Sequence, residues 1–248
     1  MLDRHSLVSI LANLGLQATS TVIVHSAFRG LAARGWTPNV FVESLLEYVN
    51  AGHVVMPTMT WRTVNPRSPI FDELNTPGHV GIVSETFRTG FATHRSLHPT
   101  HSASAYGHMA SWITGGIGST ETPCSDRSPY SRVELLGGKA LLVNVGLDSC
   151  TNLHCAEEQL PDTSHFLQGE SESYTCVDRF GIRHPVTIRR HARYQRAFHR
   201  LHEALAQRGF LSTARLGSCQ FTLIDLAGAT SLTREVLASD IKALDPAS

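Results

Sequence analysis

The feature that most restricts the fold is an alternation between short apolar runs and longer amphipathic segments. Three runs rich in β-branched and aliphatic residues predict buried strands: TVIVHSA (21–27), HVVMPT (53–58) and KALLVNVG (139–146). Amphipathic segments lie before and between the first two runs, at 2–14 and 38–50, and predict helices. This alternation predicts a sheet covered by helices.

Toward the C-terminus the pattern changes to paired strands. SYTCVD and HPVTIRR flank the turn FGIR, and FLSTARLG precedes CQFTLIDL, so both pairs predict hairpins. Alternating strands and helices followed by hairpins predict an α/β fold with a mixed sheet in three layers, formed as a single domain of residues 1–248. Further helices are predicted at 80–90, 108–116, 192–209 and 235–245, and a weak strand at 102–107.

Composition narrows the class of protein. The 248 residues contain 21 Lys and Arg and 21 Asp and Glu, so there is no basic excess that would favour nucleic acid as a partner. No run approaches the ~18 apolar residues of a membrane span, and the N-terminus lacks the features of a signal peptide. Five irregularly spaced cysteines without a CxxC pair predict reduced thiols in a cytoplasmic protein.

The stretch GLDSCTNLHCAEE directly follows the clearest strand, at a position where α/β sheets commonly bind ligands. If a helix begins near Thr151, then Thr151, His154 and Glu157 are three residues apart and share one face. Cys150, His154 and Glu158 are four apart and share a neighbouring line. A histidine held by a carboxylate is an arrangement suited to a general base.

The residues alone leave several interpretations open. Ser149 and Thr151 would also serve as helix caps, and a histidine on a helix is often structural. In a catalytic interpretation, His154 either deprotonates a bound amine or alcohol or activates Cys150 as a nucleophile. A metal site is not indicated, because the chain has no HExxH and no paired cysteines. The glycines of TGGIGS form neither a Rossmann nor a P-loop fingerprint and predict a loop.

Six blocks, in the same order, resemble the aminoglycoside 3-N-acetyltransferase family, which differs from the Gcn5-related acetyltransferases. GLDSCTNLHCAE resembles the family signature G-x-D-S-N-T-S-L-H-x-A-E. The resemblance covers residues 20–160 well and residues 161–248 weakly. The other blocks are VIVHSAFRGLA (22–32), VVMPTMT (54–60), FDELNTPGHVGIVSETFR (71–88), RSLHPTHSASAYG (95–107) and RSPYSRV (127–133).

The resemblance implies a single α/β domain of the antibiotic N-acetyltransferase type, with acetyl-coenzyme A as co-substrate and no metal. The implied acceptor is an amine of an aminoglycoside or a related small molecule, and a homodimer is left open. His154 matches the family's general base, Glu157 the residue that orients it, and Thr151 the hydroxyl that faces the thioester. The positions implied to contact the coenzyme are His25, Ser26, Ala27, Phe28, Met56, Pro57, Arg95, Ser96, His98, His101 and Ser102.

Three positions depart from the family pattern. Ala27 stands where the family has a second loop serine, Cys150 replaces an asparagine, and Asn152 replaces a serine. These departures keep two further hypotheses open. One is an acyltransferase of natural-product biosynthesis that uses Cys150 as its nucleophile, and the other is a catalytically silent coenzyme A-binding relative.

The acceptor pocket is expected to involve the proline-rich segment 61–79 and the divergent C-terminal third, since a long irregular segment in a compact chain is often functional. Trp61, Asp72 and Glu85 are the expected acceptor-binding residues. Together with Glu73 and Asp126, the two acids would form a local anionic patch for a cationic amine. The chain as a whole has no acidic excess to favour a polycation.

Overall fold

A mixed sheet of seven strands runs through the part of the chain that this computed structural model describes, residues 4–115, 121–192 and 195–246. In chain order the described strands are β1 (Thr21–Ser26), β2 (His53–Pro57), β3 (Ile70–Asp72), β4 (His94–Arg95), β5 (Ala103–Tyr106), β6 (Lys139–Val143), β7 (Glu172–Val177), β8 (Arg183–Ile188), β9 (Leu211–Leu216) and β10 (Cys219–Asp225). The large sheet has the order β4-β5-β2-β1-β6-β10-β9. Strand β1 is parallel to β2 and β6, and the other neighbours are antiparallel.

Helices cover both faces of this sheet, because successive side chains of a strand point to opposite sides. Val22 and Val24 pack on one face with the first, third and fourth helices, whereas Ile23 packs on the other with the last five. The result confirms the predicted three-layer mixed-sheet α/β fold. The described α-helices are α1 (Arg4–Asn13), α2 (Arg29–Ala32), α3 (Pro38–Tyr48), α4 (Ile82–Gly90), α5 (Ala110–Thr114), α6 (Pro129–Leu135), α7 (His154–Glu158), α8 (His202–Gln207) and α9 (Leu226–Ser239).

A second, smaller sheet lies outside the three layers. Its strands have the order β3-β7-β8, with β3 parallel to β7 and the predicted hairpin β7–β8 antiparallel. Phe71, Tyr174 and Ile188 belong to a small core of their own on this sheet. The segment predicted as an irregular loop at 61–79 therefore contains a strand and is anchored to the C-terminal third of the chain.

The C-terminal helices differ from the prediction. One helix was expected over 192–209, but residues 193–194 lie outside the described residues, and helical structure begins only with a 3₁₀ turn at Phe198–Leu201 that leads into α8. The final helix was expected over 235–245, whereas α9 starts nine residues earlier and ends at Ser239, because Asp240 is extended. Most of the predicted glycine loop, residues 116–119, lies outside the described residues. Of its glycines, Gly115 is described and directly follows α5.

The short helix α6 and the two-residue strand β4 were not predicted. Helix α6 has a conventional start, since Ser128 accepts a hydrogen bond from the amide of Ser131 and Pro129 occupies the first turn. None of the helices in the described ranges is both long enough and apolar enough to cross a bilayer.

Candidate active site

A cleft opens at the carboxyl ends of the parallel strands β1, β2 and β6, the edge at which α/β sheets commonly bind ligands. It has a volume of about 630 Å³ and is called the inner lobe here. His25 and Ser26 enter it from the end of β1, Pro57 from β2, and Ser149 and Thr151 from the segment after β6.

A second cavity of about 1090 Å³, the outer lobe, adjoins the inner one. The segment Trp61–Arg67 and side chains from the C-terminal third, including Gln168 and Arg190, line it. Five side chains border both lobes and so mark their junction: Trp61, Arg62, His101, His154 and His191.

His154 stands at this junction as the first residue of α7. Two 3₁₀ turns, Leu147–Ser149 and Thr151–Leu153, carry the chain from β6 to this position. Nδ1 of His154 lies 2.8 Å from Oε2 of Glu157, as the spacing of three residues predicted. The ring packs between His191 and Phe198, with centroid separations of 4.8 Å and 5.0 Å, so its orientation is restrained.

Glu157 is a buried carboxylate with cationic neighbours, and only 1% of the residue is exposed. Its Oε1 accepts a hydrogen bond of 2.7 Å from Nε of Arg196. Burial alone would raise the pKa of Glu157, but the charge and hydrogen bond of His154, together with Arg196, lower it below the ordinary value. The carboxylate is therefore ionised at neutral pH and only accepts hydrogen bonds.

This ionisation determines the tautomer of His154. Because Glu157 is an acceptor, Nδ1 of His154 carries the proton and donates it. In the neutral ring the lone pair is then on Nε2, the nitrogen that Glu157 does not contact. A restrained imidazole with a free Nε2 in a cleft can accept a proton from a bound substrate.

A second histidine–carboxylate pair lies beside the first, and sequence reasoning missed it. Nε2 of His191 donates to Oε1 of Glu158 over 2.6 Å, and the amide of Cys124 donates to the same oxygen over 2.9 Å. Thr122 donates to the other oxygen of Glu158. Glu158 therefore pairs with His191 and not along the predicted line with His154 and Cys150.

Cys150 does not have the environment of a nucleophile. The residue is 1% exposed, and burial raises the pKa of its thiol to about 12, so the thiolate is disfavoured at neutral pH. The other four cysteines are also buried, and all five are free thiols.

The donor atoms of His154, Glu157 and His191 lie within 4.8 Å of one another, as do those of Cys124, Glu158 and His191. Such groups could in principle hold a metal ion. In both groups the carboxylate already accepts a hydrogen bond from a histidine, and that bond accounts for one of the three distances in each group.

Four of the residues expected at the coenzyme line the inner lobe: His25, Ser26, Pro57 and His101. Burial lowers the pKa of His25 to about 4, with Asn152 acting in the opposite direction, so this histidine is neutral. Ala27 and Phe28 are not among the residues that line the lobe. The amide of Ala27 donates to the carbonyl of Val143 over 2.9 Å and is not available to a phosphate.

Apart from His101, the residues of the second coenzyme block do not line either lobe. Arg95 is buried, and its guanidinium donates to the carbonyls of Glu73, Thr76 and Thr58 at 2.7–3.0 Å, so it joins segments of the fold. The remaining expected residues are also buried away from the cleft: Met56 in the core, and Ser96, His98 and Ser102 in hydrogen bonds with neighbouring backbone.

Of the expected acceptor residues, only Trp61 lines the cleft. Asp72 accepts hydrogen bonds from the amides of Leu74 and Asn75 in a local turn. Glu85 is paired with Arg88 at 2.6 Å. Glu73 pairs with Arg179, and Asp126 lines a different cavity. The four acids of the predicted anionic patch are therefore not assembled at the cleft.

The fold has three layers, and a histidine–carboxylate pair, the kind of pair that suits acid–base chemistry, lies between the two lobes of its cleft. The chain belongs to the aminoglycoside 3-N-acetyltransferase family, whose sequence profile matches residues 23–238. It is similar to aminoglycoside N(3)-acetyltransferase IV from a Salmonella species, with 34% identity over 152 residues. That match covers 61% of this chain and 57% of the relative, so the chain spans less than two thirds of this relative's length.

Two solved structures share the fold over nearly all of both chains. The aminoglycoside acetyltransferase AAC(3)-IVa apoenzyme has a TM-score of 0.80 and 25% identity, covering 97% of this chain and 90% of its own. The enzyme AAC-VIa bound to sisomicin has a TM-score of 0.76 and 26% identity, covering 96% of this chain and 98% of its own.

Proposed function

We propose that this protein transfers the acetyl group of acetyl-coenzyme A directly to an amine of an aminoglycoside or related amino compound, within a ternary complex. The observation that supports this most directly is the position of His154, at the junction of two lobes with Glu157 on Nδ1. Two lobes suit a donor and an acceptor that must meet at one base. Family membership supports the acetyl donor and the amine.

The inner lobe suits the coenzyme. Its lining includes the hydroxyls of Ser26, Ser84 and Ser149, which can donate hydrogen bonds to phosphate. Gly81 brings no side chain to cap the first turn of α4, which opens onto the same lobe. Uncapped amides at a helix start favour anions. The pyrophosphate of the coenzyme would thus lie near the C-terminal end of β1 and the N-terminal end of α4, and the thioester would reach toward His154.

The reaction requires a free amine lone pair. In the proposed step, the amine nitrogen bonds to the acetyl carbonyl carbon while Nε2 of His154 takes a proton from that amine. The tetrahedral intermediate then collapses, the carbon–sulfur bond breaks, and the pair of electrons leaves with the coenzyme A thiolate. Glu157 stabilises the imidazolium in the meantime, as the carboxylates of other histidine pairs do.

Thr151 is the proposed partner of the developing oxyanion. Its side chain lines the inner lobe, one helical turn before His154. A hydroxyl aimed at the carbonyl oxygen would stabilise charge that appears only in the transition state. Cytoplasmic location and a homodimer stay expectations from the sequence.

The test measures thiol release from acetyl-coenzyme A with a panel of amines. We expect His154→Ala to lower kcat by about 10²–10⁴-fold. Glu157→Gln should reduce kcat by about tenfold or more and move the acid limb of the pH–rate profile to lower pH, because it removes the charge that favours the imidazolium. The matched control is His5→Ala, since His5 is exposed on α1 away from the cleft.

Several outcomes would contradict the proposal. Full activity in His154→Ala would exclude this residue as the base. Binding of acetyl-coenzyme A without turnover against every amine would favour a catalytically silent relative. Loss of activity after dialysis against a chelator would favour a metal at His154, Glu157 and His191 instead.

A further inference from the structure

The outer lobe is lined by cations. Arg62, Arg67 and Arg190 face it, and no aspartate or glutamate is among its lining residues in the described part of the chain. The other polar side chains there are amides, Asn65 and Gln168 among them, and the three histidines at the junction with the inner lobe. A cavity wall of this composition has a positive potential.

Two of these arginines have no carboxylate to balance them. Arg190 pairs with Glu172 over 2.7 Å. Arg62 and Arg67 form no ion pair with any described acidic residue, and the guanidinium of Arg62 instead lies 5.3 Å from the ring centroid of Trp61. Both are exposed and can therefore reorient toward a ligand.

The carboxylates paired with the two histidines do not line the lobe. Glu157 and Glu158 lie behind the histidines, with side chains only 1% and 3% exposed. Arg196 pairs with the first, and His191 donates to the second. The cationic wall therefore faces the cavity, whereas the anionic groups face away from it.

The charge of these arginines contributes to the pKa values of neighbouring histidines. His79 packs edge-on against Trp61, with ring centroids 4.5 Å apart. Burial, together with the charge of Arg62, lowers the pKa of His79 to about 4. Burial keeps the pKa of His101 well below its ordinary value, and the neighbouring histidines and Arg190 act in the same direction. Adding a proton to His79 or His101 is therefore unfavourable.

A polycation would meet this wall at a Coulombic disadvantage, whereas a carboxylate or phosphate would be attracted to it. From this we infer that the acceptor is an amine that also carries an anionic group, which Arg62 and Arg67 bind in the outer lobe while the amine reaches His154. Trp61 borders both lobes and its ring can contact the body of the same molecule. The inference rests on the proposed acetyl transfer and narrows its acceptor to anionic amino compounds.

Arg67 provides the cleaner test, because it lines only the outer lobe whereas Arg62 borders both. Thiol release is measured with acceptors matched except for charge: glucosamine 6-phosphate against glucosamine, γ-aminobutyrate against butylamine, and kanamycin as a polycation. We expect the anionic member of at least one pair to have at least about a tenfold higher kcat/KM than its neutral partner, and the pair that responds distinguishes phosphate from carboxylate.

Arg67→Glu should then raise the KM of the preferred anionic acceptor at least about tenfold. The KM of acetyl-coenzyme A and the kinetics with the neutral partner should not change. Arg183→Glu is the matched control, since Arg183 is exposed on β8 and does not line the cleft.

The inference is overturned if kanamycin or the neutral amines are preferred. It is also overturned if Arg67→Glu raises the KM of acetyl-coenzyme A equally with all acceptors, which would assign the arginine to the coenzyme. If no amine is acetylated, the proposed function fails. Whether the outer lobe still binds an anionic amine is then measured by calorimetry on the protein saturated with coenzyme A. Glucosamine 6-phosphate must then bind at least about tenfold more tightly than glucosamine and lose this advantage in Arg67→Glu; equal or absent binding contradicts the inference.

Discussion

Cys150 and His154 are four positions apart in the sequence, but their environments differ in the property that controls nucleophilicity. The thiol of Cys150 is buried in the core, and burial raises its pKa to about 12. At neutral pH the thiolate is then about one part in 10⁵ of the population. The imidazole, in contrast, is partly exposed at the junction of the two lobes. This contrast favours direct transfer over an acetyl-cysteine intermediate.

We therefore expect Cys150→Ala to keep kcat within about threefold of the parent and to lower the free energy of unfolding by roughly 1 kcal/mol, as a small core truncation does. The measurement is thiol release, together with mass spectrometry of the parent after exposure to acetyl-coenzyme A alone. Iodoacetamide labelling of the protein in denaturant serves as the control that Cys150 is detectable. An acetyl group on native Cys150, or a hundredfold loss of kcat in a folded variant, would contradict the expectation.

The site residues that could be predicted are those that are close in sequence. Three-residue spacing was enough to place Glu157 against His154. Arg196 and His191 could not be found in this way, because each meets its carboxylate across more than thirty positions, and no motif marks either one. The coenzyme contact of Arg95 was implied by the family resemblance alone. In the structure the partners of its guanidinium are backbone carbonyls of the fold itself, which no local pattern predicts.

At the scale of elements, α9 shows which signal for a helix start was overlooked. Asp225 caps the helix by accepting from the amide of Gly228 over 3.0 Å. Gly228 reduces helix propensity, which obscured the start. Its place in the fold explains the glycine, since a Cβ there would lie 2.4 Å from the ring of Phe210. Tertiary packing thus selected a residue that weakens the local pattern.

The cap can be tested with two substitutions at one position. Asp225→Ala should lower the free energy of unfolding by about 1 kcal/mol, because an amide of the first turn loses its acceptor. Asp225→Asn keeps an acceptor and should retain most of that stability. Denaturant unfolding of both variants measures the difference. An equal loss in the two variants would instead assign the effect to the ion pair of Asp225 with Lys139, which spans 3.8 Å.

At the scale of the whole molecule, the layer architecture followed from periodicity, but the outer lobe did not. Strands such as β1 are buried on both sides, and their β-branched runs predict this directly. The outer lobe forms where segment 61–67 meets residues around 168 and 190, about a hundred positions away. Local sequence patterns do not predict a contact between segments so far apart in the chain. The small sheet β3-β7-β8 that brings the two segments together also pairs strands distant in sequence.

The response of the folded molecule to acid depends on histidines buried in the neutral form. His25 and His98 are buried, and burial lowers their pKa values to about 4 and about 3; His191 adds to the shift of His98. At His98 the amides of Thr100 and His101 donate to Nδ1, so a proton added there would displace both hydrogen bonds. In the unfolded chain both histidines titrate near 6.5.

The sign of the pH dependence follows from these values. Both pKa values are lower in the folded state, so their contribution to stability is complete above about pH 6.5 and is lost as the pH falls toward 4, where the unfolded chain binds more protons. Each such group gives a decrease of up to about 1.4 kcal/mol per pH unit, and His79 and His101, whose pKa values burial also lowers, add to the slope. Denaturant unfolding between about pH 7 and pH 5 measures the slope. His98→Gln should reduce it by up to about 1.4 kcal/mol per pH unit, and His5→Ala, on the exposed side of α1, should leave it unchanged. A parent protein equally stable across this range would show that neither histidine is neutral in the fold for the reason argued.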